Sequence, residues 1–368
     1  MNVLYYLHEY QTVMSQWQRW HIIDELGRHG VNVEIVNPLA FDSVAAANEG
    51  ILERLSANKY DLFMTPFNEE DLYIDTLKQI KAIGIPTLLI CFDNLKIPFF
   101  HKNIAPLFDL VWLTSVETEY LFKRWGANTI FLPYAANPYY LQAAPVTDEI
   151  ERVGFIGTPH GSRINRINLL IQNGIPTTVH TKTTNVSQSL MEASAQSYAK
   201  AIADDLKYKI GRKLALGALK NKFSHRSLEV SNPNLSVCDV IPFEELAAAN
   251  ARYALQLSFT EANSTGLLKN PVDIVNLRNF EIPMSGGIQF ARYSPELASY
   301  YEDGKEIVLY RSEEEMIDKA RFYLRPDQAE NRAQIRRAAR ARSESEHTWY
   351  CRFTKVFDRL GLQYEGNC

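Results

Sequence analysis

Short apolar runs alternate with longer amphipathic stretches in the first third of the chain. The apolar runs predict strands at residues 3–7, 32–36, 61–64, 86–92, 110–113 and 129–132, and helices between them near 17–28, 45–57, 71–83 and 116–125. The runs are apolar throughout, which is typical of strands covered by helices on both faces. The pattern therefore predicts a parallel, doubly wound α/β sheet.

The same alternation restarts after residues 134–150, which carry two prolines and show no clear period. Strands are predicted at residues 152–156, 177–180 and 254–259, helices at 162–173, 243–250 and most of 328–360, and helix starts at Ser294-Pro295 and at the capping box Ser312-x-x-Glu315. We predict an N-terminal domain over 1–137, a linker over 138–150, a C-terminal domain over 151–345, and a last helix over 346–368 that packs back on the first domain.

Composition agrees with a soluble two-domain protein. The chain has 368 residues, a length that exceeds what one ordinary core accommodates. Of these residues 46% are hydrophobic and 22% charged, as in soluble globular proteins. The net charge of -4 gives no electrostatic footprint for nucleic acid. No apolar run approaches the roughly 20 residues that span a bilayer, and the N-terminus lacks the basic region of a signal peptide. We therefore expect a cytoplasmic protein.

The cysteine pattern also favours a cytoplasmic protein. Cys91, Cys238, Cys351 and Cys368 are widely spread and form no C-x-x-C pair. That spacing argues against a zinc site and against a disulfide framework, and it fits a reducing compartment.

The second half opens with "VGFIGTPHGSRINRINLL", a strand followed by a glycine-containing turn and a helix. Gly157, Thr158 and Gly161 would let a ligand approach the backbone closely, and the helix N-terminus offers free N–H groups to an anion. Arg163 adds a fixed charge for a phosphate. The spacing differs from G-x-G-x-x-G, so a plain βα turn with surface arginines is an equal alternative.

A second charged stretch, "LRNFEIPMSGG" at residues 277–287, reads as a helix start that carries charge among apolar residues. Glu281 would accept two hydrogen bonds from the vicinal hydroxyls of a ribose, or it would be a solvated helix residue. Gly286 and Gly287 would allow either close packing or close ligand approach. The spacing alone leaves these alternatives open.

Three stretches together, "FIGTPHGSRINRINLLIQNGI", "LRNFEIPMSGG" and "SPELASYYEDGKEIVLYRSEEEMIDKARFYL", resemble the CgeB-like glycosyltransferases, a spore-maturation and cell-surface family of the GT-B superfamily. The resemblance covers most of residues 86–360. It implies a GT-B fold of two Rossmann-like domains that face a cleft, with a nucleotide-sugar donor bound mainly by the second domain.

The resemblance also implies roles for individual residues. Glu281 corresponds to the glutamate that holds the nucleotide ribose in related retaining enzymes. Those relatives often carry another acidic residue eight positions earlier, which touches the donor sugar. This chain has Asp273 there instead of glutamate. Arg278 belongs to the family's R-x-F-E pattern and is either a diphosphate ligand or one half of a structural salt bridge.

Further candidates lie outside these stretches. Asp93, in "CFDNLK", would orient an acceptor hydroxyl, act as a base or cap a helix. His8 would bind a sugar or phosphate oxygen or be a polar loop residue. Lys269, in the polar loop 258–271, would contact the donor phosphates, and Ser264 and Thr265 the sugar.

Residues 200–226 are locally basic, and Ile202, Leu206, Ile210 and Leu214 recur every fourth residue. This pattern predicts either a helix that makes peripheral contact with the inner face of an anionic membrane or holds a lipid-linked acceptor, or a core stripe with solvated charge.

The expected function is that of a glycosyltransferase, which moves a sugar from a nucleotide-diphosphate sugar to a hydroxyl of a cell-surface glycan, a lipid-linked saccharide or a protein. No D-x-D tripeptide occurs, so we expect metal-independent chemistry with no cofactor beyond the co-substrate. The superfamily implies a retaining outcome. The alternatives are a nucleotide-sugar 2-epimerase of the same fold and a non-catalytic GT-B protein that binds a nucleotide or a partner.

Overall fold

The structure is a computed structural model that describes residues 1–9, 13–142, 148–182, 203–224, 227–366 and 368. The chain divides into two compact units. The first unit contains Met1–Tyr140 together with His347–Cys368, and the second contains Leu141–Glu346. The boundary residues 200–202 and 225–226 of the predicted basic segment lie outside the described residues.

The first unit is built on a six-stranded parallel sheet with the order β2-β1-β3-β4-β5-β6. Its strands are β1 (Asn2–Tyr6), β2 (Asn32–Val36), β3 (Leu62–Thr65), β4 (Thr87–Cys91), β5 (Leu110–Leu113) and β6 (Thr129–Phe131). Its helices are α1 (Val13–Gln18), α2 (Asp24–Arg28), α3 (Val44–Ala57), α4 (Ile74–Ile83), α5 (Glu119–Arg124) and, at the end of the chain, α13 (Trp349–Leu360). A π-helical turn, Arg19–Ile23, joins α1 to α2.

A buried carboxylate attaches the last helix to the first unit. Glu25 of α2 is fully buried and accepts backbone hydrogen bonds from Trp349 (3.1 Å) and Tyr350 (3.0 Å), the first two residues of α13. These N–H groups have no partner within their own helix, so Glu25 satisfies them. Burial raises the pKa of Glu25 to about 7, while the hydrogen bonds from the helix N-terminus oppose the rise.

The second unit repeats the architecture with the strand order β12-β11-β10-β7-β8-β9, again all parallel. Its strands are β7 (Ile150–Ile156), β8 (Thr177–His180), β9 (Leu235–Cys238), β10 (Tyr253–Leu257), β11 (Gln289–Arg292) and β12 (Val308–Tyr310). Its helices are α6 (Ser162–Gln172), α7 (Lys209–Lys222), α8 (Leu246–Arg252), α9 (Arg278–Met284), α10 (Pro295–Tyr300), α11 (Glu313–Tyr323) and α12 (Ala329–Glu346).

The predicted fold class is confirmed, since each half of the chain forms a parallel sheet connected by helices. Three strands of the second unit, β9, β11 and β12, were not predicted. They are three or four residues long, too short for a period-2 pattern to separate them from loop. Both predicted caps form, because Ser294 Oγ accepts from the N–H of Leu297 and Ser312 Oγ from that of Glu315.

The expectation that the cysteines form no disulfide is wrong for one pair. Cys351 and Cys368 are joined, with a Cα–Cα distance of 5.0 Å. Gly361 ends α13 in the left-handed conformation and turns the chain back, so that Tyr350 Oη donates a hydrogen bond to Glu365 O. Spacing along the sequence does not show this reversal.

No helix in the described ranges is long and apolar enough to cross a membrane.

Candidate functional site

Most of the functional residues predicted in the second unit lie where its strands end. All six strands are parallel, so the loops that follow β7, β10 and β11 leave the same edge of the sheet. Helix α9 leads from the long loop after β10 back to the start of β11, so its first turn also lies at this edge. We call this the second carboxyl edge, and the corresponding side of the other sheet the first carboxyl edge.

At the turn after β7, three segments of the chain pack closely together. Gly161 adopts φ 56° and ψ -127° immediately before α6, a conformation that disfavours residues with a Cβ. A Cβ placed on it would lie 3.2 Å from Ser264 Oγ and 3.4 Å from Asn221 Oδ1. The turn therefore meets both the loop after β10 and the last turn of α7. Gly157 has φ 146°, and its N–H donates to His180 O at 3.0 Å.

The loop between β10 and α9 is held by its own backbone. Glu261 and Asp273 form an antiparallel bridge, and the N–H groups of Ala262 and Ile274 donate to Val272 O and Thr260 O, each at 2.8 Å. Thr265 is buried, and its hydroxyl donates to Ala262 O at 2.6 Å. Thr265 therefore closes the loop, whereas the sequence suggested a sugar contact for it.

One guanidinium group connects this loop to the sheet. Arg292, the last residue of β11, forms an ion pair with Asp273 and places Nε 3.1 Å from Glu261 Oε1. Burial raises the pKa of Asp273, and the charge of Arg292 opposes that rise. The second oxygen of Glu261, Oε2, is buried and has no hydrogen-bond partner in the part of the chain that the structure describes. A buried carboxylate oxygen without a partner is costly, which points to a ligand that supplies one.

Two further guanidinium groups lie around this carboxylate. Burial lowers the pKa of the Arg163 guanidinium, the charge of Arg278 lowers it further, and Glu261 opposes both effects. The charges of Arg278 and Glu261 both act on Arg163, so the three side chains lie in one neighbourhood. Arg163 Nη1 donates to Thr158 O at 3.2 Å, and its guanidinium lies 5.4 Å from the ring centre of Phe259. Two adjacent arginines repel each other, and a bound anion would remove that repulsion.

The predicted pair at the start of α9 is also in place. Glu281 is buried in the first turn of α9, and its Oε2 lies 3.4 Å from Arg278 Nε. Arg278 Nη1 is buried without a hydrogen-bond partner. Arg278 therefore makes the salt bridge that the sequence offered as one alternative, and it retains a donor that the salt bridge does not use. We call Arg163, Glu261, Asp273, Arg278, Glu281 and Arg292 the charged cluster.

Other predicted ligands lie apart from this cluster. Gly286 and Gly287 follow the other end of α9, next to the start of β11, so they are at the amino edge of the sheet. A Cβ on Gly287 would lie 2.6 Å from Asn250 O of α8, so this glycine serves helix packing. Their predicted contact with the donor is not supported, since carboxyl and amino edges are a strand length apart. Lys269 is exposed in the loop, and Thr158 is exposed in its turn.

The first carboxyl edge presents a different picture. His8 follows β1 and packs its ring edge-on against Phe67, with ring centres 4.5 Å apart. Burial lowers the pKa of His8, and Asp71 opposes the shift. Asp93 follows β4, is exposed, and forms an ion pair of 3.3 Å with Lys96. Its neighbour Asn94 is the buried one, and it accepts the N–H groups of Thr114 and Ser115 through Oδ1.

Sequence reasoning missed Glu261 and Arg292. Glu261 stands four residues after β10, in a loop that was predicted to be polar. Only the hydroxyl and lysine side chains of that loop were considered as ligands. The signal was available, because a carboxylate at the end of a buried strand is a candidate ligand wherever it occurs. Arg292 was missed together with β11, whose prediction would have placed it at the same edge.

One protein-family model matches the part of the chain that carries most of the charged cluster. Residues 212–358, less than half of the chain, match the family model described as "Glycosyl transferase-like". This part contains every residue of the charged cluster except Arg163. The match supports the predicted class of enzyme. No curated protein sequence matches the chain.

Solved structures match over nearly the whole length. HepE from Anabaena, solved with UDP and glucose, is 14% identical, with 98% of this chain and 99% of that chain covered and a TM-score of 0.56. An alpha-glucosyltransferase solved with UDP-glucose and DNA (11%, TM-score 0.60) and the sucrose-phosphate synthase of Thermosynechococcus elongatus (12%, TM-score 0.54) match over the same shares. The fold is GT-B. At these identities the similarity establishes the architecture and not the substrates.

Among the described residues, no group of three histidine, cysteine, aspartate or glutamate side chains is arranged to hold a metal ion. Metal-independent chemistry stays a prediction.

Proposed function

We propose that this protein is a glycosyltransferase that moves a sugar from a nucleotide-diphosphate sugar to an acceptor hydroxyl. The observation that carries the proposal is the charged cluster at the second carboxyl edge. Within the described ranges, both Glu261 Oε2 and Arg278 Nη1 are buried there without hydrogen-bond partners, so the site offers one acceptor and one donor to a ligand that has both kinds of group. A nucleotide-diphosphate sugar offers anionic oxygens and hydroxyls in one molecule.

The diphosphate is assigned to the basic part of the cluster. The charge of Arg278 lowers the pKa of Arg163, and α6, which carries Arg163 in its first turn, begins without a side-chain cap. Helix N-termini and arginines favour anions, and their effect grows as negative charge develops on the leaving diphosphate. This arrangement supplies the stabilisation that a metal ion gives in other folds. Thr158, Gly157 and Lys269 remain secondary candidates for the same group.

The hydroxyl-bearing parts of the donor are assigned to the carboxylates. Glu281 would accept from the ribose hydroxyls, as the family resemblance implies, and Glu261 Oε2 would accept from a hydroxyl of the transferred sugar. Asp273, for which the resemblance suggested the sugar contact, is paired with Arg292. Its catalytic role, like those of Asp93 and His8 on the first unit, stays a prediction.

We propose UDP as the first nucleotide to test, because HepE and the alpha-glucosyltransferase were solved with UDP or UDP-glucose. Membership of the CgeB-like subgroup, a retaining outcome, and an acceptor that is a cell-surface glycan, a lipid-linked saccharide or a protein belong to the same proposal. The resemblance of the quoted stretches supports them.

Incubation with UDP-, GDP- and TDP-sugars tests the proposal. Release of the free nucleoside diphosphate in the presence of an acceptor is the expected result, and an altered sugar on an intact nucleotide would establish a 2-epimerase instead. Calorimetry with each nucleotide gives the binding step separately. Arg278→Met should weaken binding, whereas Arg325→Met, which breaks an exposed ion pair with Asp327, is the matched control. If no nucleotide binds, both enzymatic functions are wrong.

A further inference from the structure

Helix α7 has two unlike faces. Gly211, Leu214 and Gly217 lie on the buried face. A Cβ on Gly217 would lie 3.0 Å from the backbone of Ser264, so the helix is pressed against the loop after β10. This contact fixes which face of α7 points outward. Leu214, from the stripe recognised in the sequence, is on the buried side, so that stripe is in part a core stripe.

The outward face carries a second apolar stripe. Leu216, Leu219 and Phe223 are 55%, 53% and 74% exposed, and their spacing of three and four places them on one side of the helix. Single exposed apolar residues are ordinary, but three large ones in a row on a fixed helix are a surface feature.

Basic residues surround this stripe. The 14 residues of α7 include five lysines and arginines and no aspartate or glutamate, in a chain whose net charge is -4. Lys213 and Lys220 reach the backbone oxygens of Asn270 and Leu267, whereas Lys209 and Lys222 are exposed. A helix with exposed leucine and phenylalanine flanked by lysine is complementary to a surface that is apolar within and negative at its boundary.

We propose that the Leu216-Leu219-Phe223 face of α7 docks the protein on an anionic membrane surface. The three apolar side chains enter the boundary between headgroups and acyl chains, and Lys209 and Lys222 contact the anionic headgroups. Nucleic acid would use the same positive charge but gives leucine side chains nothing to bury against. The face is next to the loop that carries Glu261, so docking would bring the second carboxyl edge close to the lipid headgroups.

Vesicle binding tests the proposal without any use of enzyme activity. The full chain is centrifuged with vesicles of phosphatidylcholine alone or with an equal part of phosphatidylglycerol. We expect binding to the anionic vesicles that weakens as salt is raised. The variant Leu216→Ser/Leu219→Ser/Phe223→Ser should lower the partition coefficient at least about tenfold. Lys209→Gln and Lys222→Gln should each lower it about fivefold.

Phe322→Ser is the matched control, because Phe322 is a partly exposed aromatic residue on α11, and it should bind like the unchanged protein. Circular dichroism of the triple variant should be unchanged, since its side chains are exposed. Equal binding to both kinds of vesicle, or equal binding by the triple variant, would overturn the proposal. Tighter binding to a duplex DNA than to anionic vesicles, or a dimer that the triple variant abolishes, would assign the face to another partner.

Discussion

The two carboxyl edges of this protein share one backbone plan and treat charge in opposite ways. At the second edge, Arg292 pairs with Glu261 and Asp273 and Arg278 pairs with Glu281, and among the described residues Glu261 Oε2 and Arg278 Nη1 are buried without a hydrogen-bond partner. At the first edge, Asp93 is exposed and forms an ion pair with Lys96, while the buried polar position next to it is taken by the neutral Asn94.

The difference shows which half of a GT-B protein can be assigned from side chains alone. Burying a charge is expensive unless a partner compensates it, so buried and incompletely paired charges indicate a ligand. An exposed carboxylate is already solvated by water and indicates none. Under the proposed function, the donor is therefore assigned to the second edge, whereas the side chains of the first edge specify no particular acceptor.

The largest expected effect comes from removal of the guanidinium that joins the loop to the sheet. Arg292→Ala leaves Glu261 and Asp273 side by side without their shared cation, and we expect it to lower the free energy of unfolding by about 2–3 kcal/mol. Urea denaturation measures this. Arg342→Ala, which breaks an exposed pair with Glu346, should cost under about 1 kcal/mol. Equal costs for the two variants would show that the network is no more than surface charge.

The next effect concerns the donor. Glu281→Ala removes a buried carboxylate from the proposed ribose site and should weaken nucleotide binding by about 2 kcal/mol, or roughly 30-fold, in calorimetry. Asp93→Asn changes a carboxylate at the first edge and should leave nucleotide affinity unaltered. If the two variants bound nucleotide equally well, the assignment of the donor to the second edge would fail.

A smaller effect is expected from the turn after β7. Gly161→Ala places a Cβ at positive φ and 3.2 Å from Ser264 Oγ, and it should cost about 1–2 kcal/mol of stability and several-fold in nucleotide affinity. Gly174→Ala is the matched variant, because Gly174 also has positive φ but has open space around it. It should lose stability and keep affinity. If both variants lost nucleotide affinity, backbone strain would lower affinity wherever it is introduced, and the turn after β7 would have no special part in binding.

The smallest effect is a pH dependence at the first edge. Burial holds the pKa of His8 below 6.5, so the folded protein binds a proton less readily than the unfolded chain. The contribution of neutral His8 to stability is therefore complete above the unfolded pKa and is lost as pH falls through the folded pKa. The difference in unfolding free energy between the protein and His8→Gln, followed from pH 8 to pH 5, should shrink as pH falls.

His101 is a useful reference for this titration, since burial lowers its pKa to about 4 and it stays neutral over most of that range. Nuclear magnetic resonance should show the His8 ring titrating below 6.5. A His8 ring that titrated above 6.5 would contradict the burial described for it.

The sequence predicted what depends on local pattern. Strands Asn32–Val36, Leu110–Leu113 and Thr177–His180 have the predicted bounds, because uninterrupted apolar runs flanked by helices have few alternatives. Arg278 and Glu281 were found because both stand in one helical turn. Arg292 lies 19 residues from Asp273 and 31 from Glu261, so only the sheet order brings them together. Gly286 and Gly287 illustrate the converse, since they are close to Glu281 in sequence but lie at the amino edge, and their contact with the donor stays a prediction.

Because Glu25 makes a buried contact with the start of α13, the first unit cannot be completed until α13 has been synthesised. The first unit needs residues 347–368, which leave the ribosome only after the whole of the second unit. The second unit is contiguous, so it has all of its residues while the first still lacks a helix. A sheet of six strands would therefore wait through the synthesis of some two hundred residues with the partners of Glu25 missing. A stop codon near residue 346 would remove nothing from the second unit and would leave the first unfinished.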